Sequence, residues 1–176
     1  MSDEATSSTL GREVGDDIYV SVQRFLSRES DCLDRRAYRD WFKLWTSDLQ
    51  YRVTAQLNQD ASAGSKDFAI IDDDADALKA RLDQISTPKL THAENPPSLA
   101  RRFFSGLDVQ HGAAPDEYVA SANVLVYRTR PERPEGGFYV GTRHDVLRRV
   151  NGEWRLARRS VRLDQTLLYG GVSTIF

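Results

Sequence analysis

The sequence predicts an α+β domain in which a curved antiparallel sheet wraps around three helices. Three observations lead there. Two segments with helical spacing, one strand and a third helical segment precede four long alternating runs, and strands clustered after helices are the mark of the α+β class. Asn151-Gly152 joins two of those runs, a strong hairpin signal because both turn residues tolerate positive φ. The chain has 176 residues, of which 40% are hydrophobic and 28% charged, enough for one domain with a real core.

Residues 1–15 are polar and rich in Ser, Thr and acids, so a flexible arm is expected there and a single domain over 16–176. From Asp16 to Leu33 the residues Ile18, Val22, Phe25, Leu26 and Leu33 form one helical stripe, with Glu29 its polar exception. Asp34 is placed to cap a second helix, Arg35 to about Trp45, whose Tyr38, Trp41, Phe42 and Trp45 make an aromatic side. Leu49, Tyr51, Val53, Ala55 and Leu57 alternate with polar residues and predict a half-buried strand. A loop precedes a third helix, whose face is Ala75, Leu78, Leu82 and Ile85 and whose acidic start suits the helix dipole. The proline-bearing stretch Ser86 to Ser98 reads as a loop.

Strands are then expected at Leu99 to Val109, with Leu99, Phe103, Leu107 and Val109 on one side, and at Glu117 to Arg128. Ser105-Gly106 reads as a bulge and RPERPEGG as a turn. A two-residue closure at Asn151-Gly152 then sets Leu147 opposite Leu156, Val146 opposite Ala157, Asp145 opposite Arg158 and Thr142 opposite Val161. In that register both faces are part apolar and part basic, so the late strands are expected to be covered on both sides.

The net charge of −2 gives the whole chain no pull towards nucleic acid or an anionic membrane. The pairs Arg101-Arg102, Arg148-Arg149 and Arg158-Arg159 read as salt-bridged strand positions. One cysteine, Cys32, excludes an internal disulfide or an iron–sulfur cluster held by this chain alone. No apolar run is long enough to span a bilayer and the N-terminus lacks a secretory pattern, so a cytoplasmic location is expected.

The chemistry that a small domain can carry is thinly represented. His92, His111 and His144 form no metal-binding pair, and there is no nucleophile elbow or phosphate-binding glycine loop. A cone formed by a curved sheet can hold an acid/base pair at its mouth, and His92, Asp164, Tyr51 and Tyr127 are the candidates. On the residues alone, a stand-alone isomerase, dehydratase or hydrolase acting on a hydrophobic small molecule and a non-enzymatic dimeric binding module both stay open.

Three stretches in order resemble the small, β, subunits of Rieske-type aromatic-ring-hydroxylating dioxygenases. The first is Phe25 to Val53, with Asp34, Tyr38 and Trp41 followed by Asp48 and Tyr51. The second is Thr91 to Phe103, an H-x-x-x-P-P-S-x-x-R-R-F pattern. The third is Asn123 to Tyr127 together with the final hairpin. The resemblance runs from about Asp16 to the C-terminus. It implies a cone-shaped fold similar to cystatin, ketosteroid isomerase and scytalone dehydratase, and a structural β subunit supporting a catalytic α subunit that converts an arene to a cis-dihydrodiol. It further implies that this chain has no catalytic residue, metal or cofactor of its own. The α subunit is expected to carry a Rieske 2Fe-2S cluster and a mononuclear non-haem Fe(II). Three α and three β subunits, with a reductase and ferredoxin supplying electrons, are the implied assembly. Subunit contacts are expected at His92, Arg101, Arg102, Arg158, Arg159, Asp164 and Gln165, and the apolar tail of DQTLLYGGVSTIF is expected to be tucked away.

Overall fold

The computed structural model describes residues 13–55, 67–87, 94, 96–130, 133–165 and 175–176. Helices α1 (Asp16–Asp34), α2 (Tyr38–Phe42) and α3 (Ala75–Ser86) accompany strands β1 (Trp45–Ala55), β2 (Phe68–Asp74), β3 (Leu99–His111), β4 (Glu117–Arg130), β5 (Arg133–Val150) and β6 (Glu153–Leu163). The strands form one curved, unclosed sheet in the order β2-β1-β6-β5-β4-β3. All neighbours are antiparallel except β1 and β6, which run parallel and place the first strand beside the last.

Helix α1 lies along the predicted stripe and buries Val22, Phe25, Leu26, Glu29 and Leu33. The second helix is shorter than expected. Arg36 takes a left-handed φ of 58°, which breaks the chain direction after α1, and the segment is back in strand conformation by Trp45. Asp34 does not cap it: its carboxylate accepts from the Arg102 backbone and guanidinium instead. The aromatic residues still build core, with the Trp41 ring 4.7 Å from Trp45 and 6.3 Å from Tyr51 in edge-on contacts. Asp74 caps α3 as its acidic start suggests, accepting the Ala77 amide at 2.9 Å. Strand β2 is an addition to the predicted order, because its apolar part, Phe68 to Ile71, is only four residues long before the acids begin.

Three further corrections concern the late strands. RPERPEGG is not all turn, since β5 already begins at Arg133. The bulge at Ser105-Gly106 is present, with Gly106 at φ 62°, and it switches faces along β3. Leu99 and Phe103 therefore point outward while Val109 points into the core. The Asn151-Gly152 turn has φ 53° and 80° and sets the hairpin register as far as Leu147 opposite Leu156. Beyond that, Ala157 is an extra residue with no partner, so Val146 meets Arg158, Asp145 meets Arg159 and Thr142 meets Arg162. The bulge changes the phase of β6. Trp154 and Leu156 before it and Arg159, Val161 and Leu163 after it all face inward. The mixed faces read from strict alternation are thus one inward face with a step in it, and cover on both sides is not needed to explain them.

Candidate functional site

The cone interior, where a curved sheet could enclose a pocket, holds an ion network. Four charged residues meet there from three elements: Glu29 on α1, Arg143 and Asp145 two residues apart on β5, and Arg159 on β6, none more than 2% exposed. Arg159 Nε donates to Asp145 Oδ1 at 2.8 Å, and its Nη2 donates to Glu29 Oε2 at 2.8 Å. Arg143 Nε donates to Asp145 Oδ2 at 2.8 Å and its Nη2 to Glu29 Oε2 at 2.6 Å. Two cations against two anions leave the group neutral. The Trp41 indole donates to the second Glu29 oxygen at 2.8 Å. Arg143 Nη1 has no hydrogen-bond partner among the described residues, and the guanidinium carbon lies 4.6 Å from the Phe104 ring centroid.

Burial would raise the two carboxyl pKa values, but Arg143 and Arg159 more than offset it and hold both Glu29 and Asp145 below their ordinary range. Burial opposes the Arg159 charge as well, yet Asp145 and Glu29 keep that guanidinium protonated more firmly than usual. Ionised on both sides, with each carboxylate held by both guanidinium groups, the network is not poised to move a proton.

Phe176 adjoins the network. Its carbonyl accepts from Arg159 Nη1 at 2.8 Å and from the Tyr51 hydroxyl at 3.1 Å, while its amide donates to the same hydroxyl at 2.8 Å. Burial pushes the Tyr51 phenol up. Ile175 and Phe176 are both buried within the protomer, in line with a tucked tail; residues 166–174 lie outside the described residues.

A second cluster centres on Glu94 and Ser98, just before β3. Glu94, 3% exposed, accepts from Arg36 Nη1 at 2.8 Å, Arg128 Nη2 at 2.6 Å and the Ser98 amide and hydroxyl at 3.0 and 2.8 Å. Nearby, Arg102 Nη1 donates to Asp34 at 2.6 Å and its Nε to the Ile175 carbonyl at 3.1 Å.

The residues singled out from sequence fall into three groups. Arg102 and Arg159 point into the protomer, with their guanidinium groups engaged by its own carboxylates. Arg101 and Arg158 lie at the surface: Arg101 is 3.7 Å from Asp34, and Arg158 touches Gln50 at 3.2 Å rather than Asp145. Asp164 and Gln165 sit where β6 ends. Gln165 accepts the Val140 amide at 3.1 Å and donates to the Phe138 carbonyl, so its side chain extends the sheet ladder by one step. His92 lies outside the described residues. The acid/base candidates do not converge: Tyr51 is inside the cone, Tyr127 stacks with Phe138 on the convex face at 5.1 Å, and Asp164 is exposed at a strand end.

Glu29, Arg143 and Asp145 were missed as a site, although Glu29 stood out as the polar member of an apolar stripe. Among the described residues no group of three or more His, Cys, Asp and Glu side chains is placed to hold a metal, and no helix is long and apolar enough to cross a membrane.

The family described as the ring-hydroxylating β subunit matches residues 28–169. The chain is 33% identical over 164 residues to the biphenyl 2,3-dioxygenase β subunit of Rhodococcus jostii (strain RHA1), covering 88% of this chain and 87% of that one. Its fold superposes on a chain of naphthalene 1,2-dioxygenase, in a structure with indole bound in the active site, with a TM-score of 0.81, 20% identity and coverage of 94% and 90%. The β subunit of the benzoate 1,2-dioxygenase of Burkholderia mallei gives 0.70 at 18% identity, covering 89% of this chain and 96% of that one.

Proposed function

This chain belongs to the ring-hydroxylating β-subunit family, and on that premise we propose that it is the supporting subunit of an aromatic-ring-hydroxylating dioxygenase, holding in place an α subunit that performs the oxidation of an arene to a cis-dihydrodiol. The observation that carries this reading is what the motif residues do. Asp34 grips Arg102, Trp41 grips Glu29, Tyr51 grips Phe176 and Ser98 grips Glu94. Each is engaged in holding this chain's own elements together, and the charged groups inside the cone are committed to one another rather than set up as a proton-transfer pair.

On this reading the Rieske 2Fe-2S cluster and the mononuclear non-haem Fe(II) reside in the α subunit, three α and three β subunits assemble in the cytoplasm, and a reductase with a ferredoxin delivers electrons. Arg101, Arg158 and Asp164 contact neighbouring subunits directly. Arg102, Arg159 and Gln165 contribute from within, by fixing the strands that present those contacts. His92 belongs with the contact group by its place in the H-x-x-x-P-P-S-x-x-R-R-F pattern.

Co-expression with the α subunit tests the reading. A brown complex that oxidises an arene, with the purified β chain alone inert, is the expected result. Arene oxidation by the β chain with no other oxygenase component would refute it.

A further inference from the structure

Ile175 and Phe176 belong to no helix or strand, yet they are 2% and 0% exposed. Side chains of three strands hold their main chain. Arg102 on β3 donates Nε and Nη2 to the Ile175 carbonyl, the first at 3.1 Å. Arg159 on β6 donates Nη1 to the Phe176 main-chain oxygen at 2.8 Å. The Tyr51 hydroxyl on β1 accepts the Phe176 amide at 2.8 Å and donates to the Phe176 oxygen at 3.1 Å, so one side chain reads two main-chain groups of one residue. The receiving groups have partners of their own. Asp34 holds Arg102 at 2.6 Å, Asp145 and Glu29 hold Arg159, and the Trp41 ring lies edge-on to Tyr51. The donors are therefore aimed by contacts that do not involve the tail, as in a preorganised binding site. The Phe176 ring meets Tyr139 edge-on at 5.5 Å. Beside Ile175 lies a cavity of about 20 Å³ bordered by Leu33, Tyr38, Ser98 and Ala100, room for one water that close core packing would ordinarily leave unprovided.

We propose that these side chains form a binding site for an apolar dipeptide segment, an aliphatic residue followed by an aromatic one. Ile175–Phe176 occupies it as a strap, a ligand carried on the same chain that can leave while the sheet stays folded. Two features separate a strap from ordinary core. The pair is held through its main chain by side chains of other elements, and a grip of that kind takes the same segment from a separate peptide as readily as from the tail. When the strap leaves, Arg102 keeps Asp34 and Arg159 keeps Asp145 and Glu29, so α1 stays tied to β3, β5 and β6. The strap works within this chain and does not depend on a companion subunit.

The test uses the full-length chain. Ile175→Lys combined with Phe176→Lys sets two cations beside Arg102 and Arg159 and displaces the strap. A labelled peptide with the sequence of residues 171–176, Gly-Val-Ser-Thr-Ile-Phe, is titrated into the variant and the wild type, and binding is read by fluorescence anisotropy. Binding to the variant should saturate and be about tenfold or more tighter than to the wild type, where the tethered strap competes at high effective concentration. The same peptide with alanine in the last position should bind about tenfold more weakly, because it lacks the aromatic ring. A variant that is folded by circular dichroism and does not bind the peptide, or binds it no tighter than the wild type does, would overturn the proposal. Amide exchange on the wild type decides the matter where the variant does not fold. The Phe176 amide should exchange about tenfold or more faster than the slowest amides of β5 and β6, since the strap opens without the sheet. Exchange at the rate of those slowest amides would make the pair ordinary core and overturn the strap.

Discussion

Asp145 owes its cross-strand partner Arg159 to one extra residue, Ala157, and its ionisation to two arginines. A buried charge stripped of its partner is left uncompensated, so Asp145→Ala or Arg159→Leu should cost about 3–5 kcal/mol in urea unfolding. Replacing all four charged members with apolar residues of similar volume should cost less than either single change, because no orphan charge remains. The pH dependence has a definite sign. Glu29 and Asp145 titrate in the folded chain below their ordinary values of 4.5 and 3.8, whereas the unfolded chain binds protons at those values. Their contribution is therefore complete above about pH 5 and is lost as the pH falls through the depressed folded values. Urea midpoints measured at stepped pH should show an acid limb that becomes shallower in Glu29→Gln; an unchanged limb would separate the network from acid unfolding. The sequence offered a hint here, since a glutamate on an otherwise apolar helical stripe needs a buried cation. It could not say which of the many arginines answers.

At the scale of elements, local signals were legible and offsets between them were not. The Asn151-Gly152 hairpin, the α3 cap at Asp74 and the α1 stripe follow from a few neighbouring residues, and the structure keeps them. The faces of β3 and β6 depend on bulges at Gly106 and Ala157, and a bulge at alanine carries little local signature. What β6 does carry is a phase change, from apolar residues at even positions (Trp154, Leu156) to odd ones (Val161, Leu163). Two deletions test the assignment. Removing Ala157 restores plain alternation with Arg159, Val161 and Leu163 still inward, so the protein should fold with a modest loss of melting temperature. Removing Ser160 turns Val161 and Leu163 outward and Arg162 inward, and soluble protein should be lost. Equal tolerance of the two would contradict the bulge. The second helix is shorter than its aromatic spacing predicts for a similar reason: that spacing is helical, but the left-handed turn at Arg36 and the pull of the sheet on Trp45 leave it five residues.

For the molecule as a whole, the network inside and the contacts outside make separable predictions. Arg158 is exposed and its side chain hydrogen-bonds Gln50 within its own chain, so Arg158→Ala should leave the melting temperature nearly unchanged while weakening co-assembly with α. Intact assembly, read by native mass spectrometry, would remove Arg158 from the contact set. Truncation after Asp164 removes the Gln165 brace together with buried Ile175 and Phe176, and should lower both stability and assembly. The seam between β1 and β6 adds a constraint on timing. Gln50 and Arg158 lie side by side although 108 residues separate them. A ribosome must therefore release the chain through β6 before the middle of the sheet can close, and until then β1 and the β3–β5 strands wait with open edges. Early encounter with a companion chain, or with a chaperone, would shield those edges during synthesis.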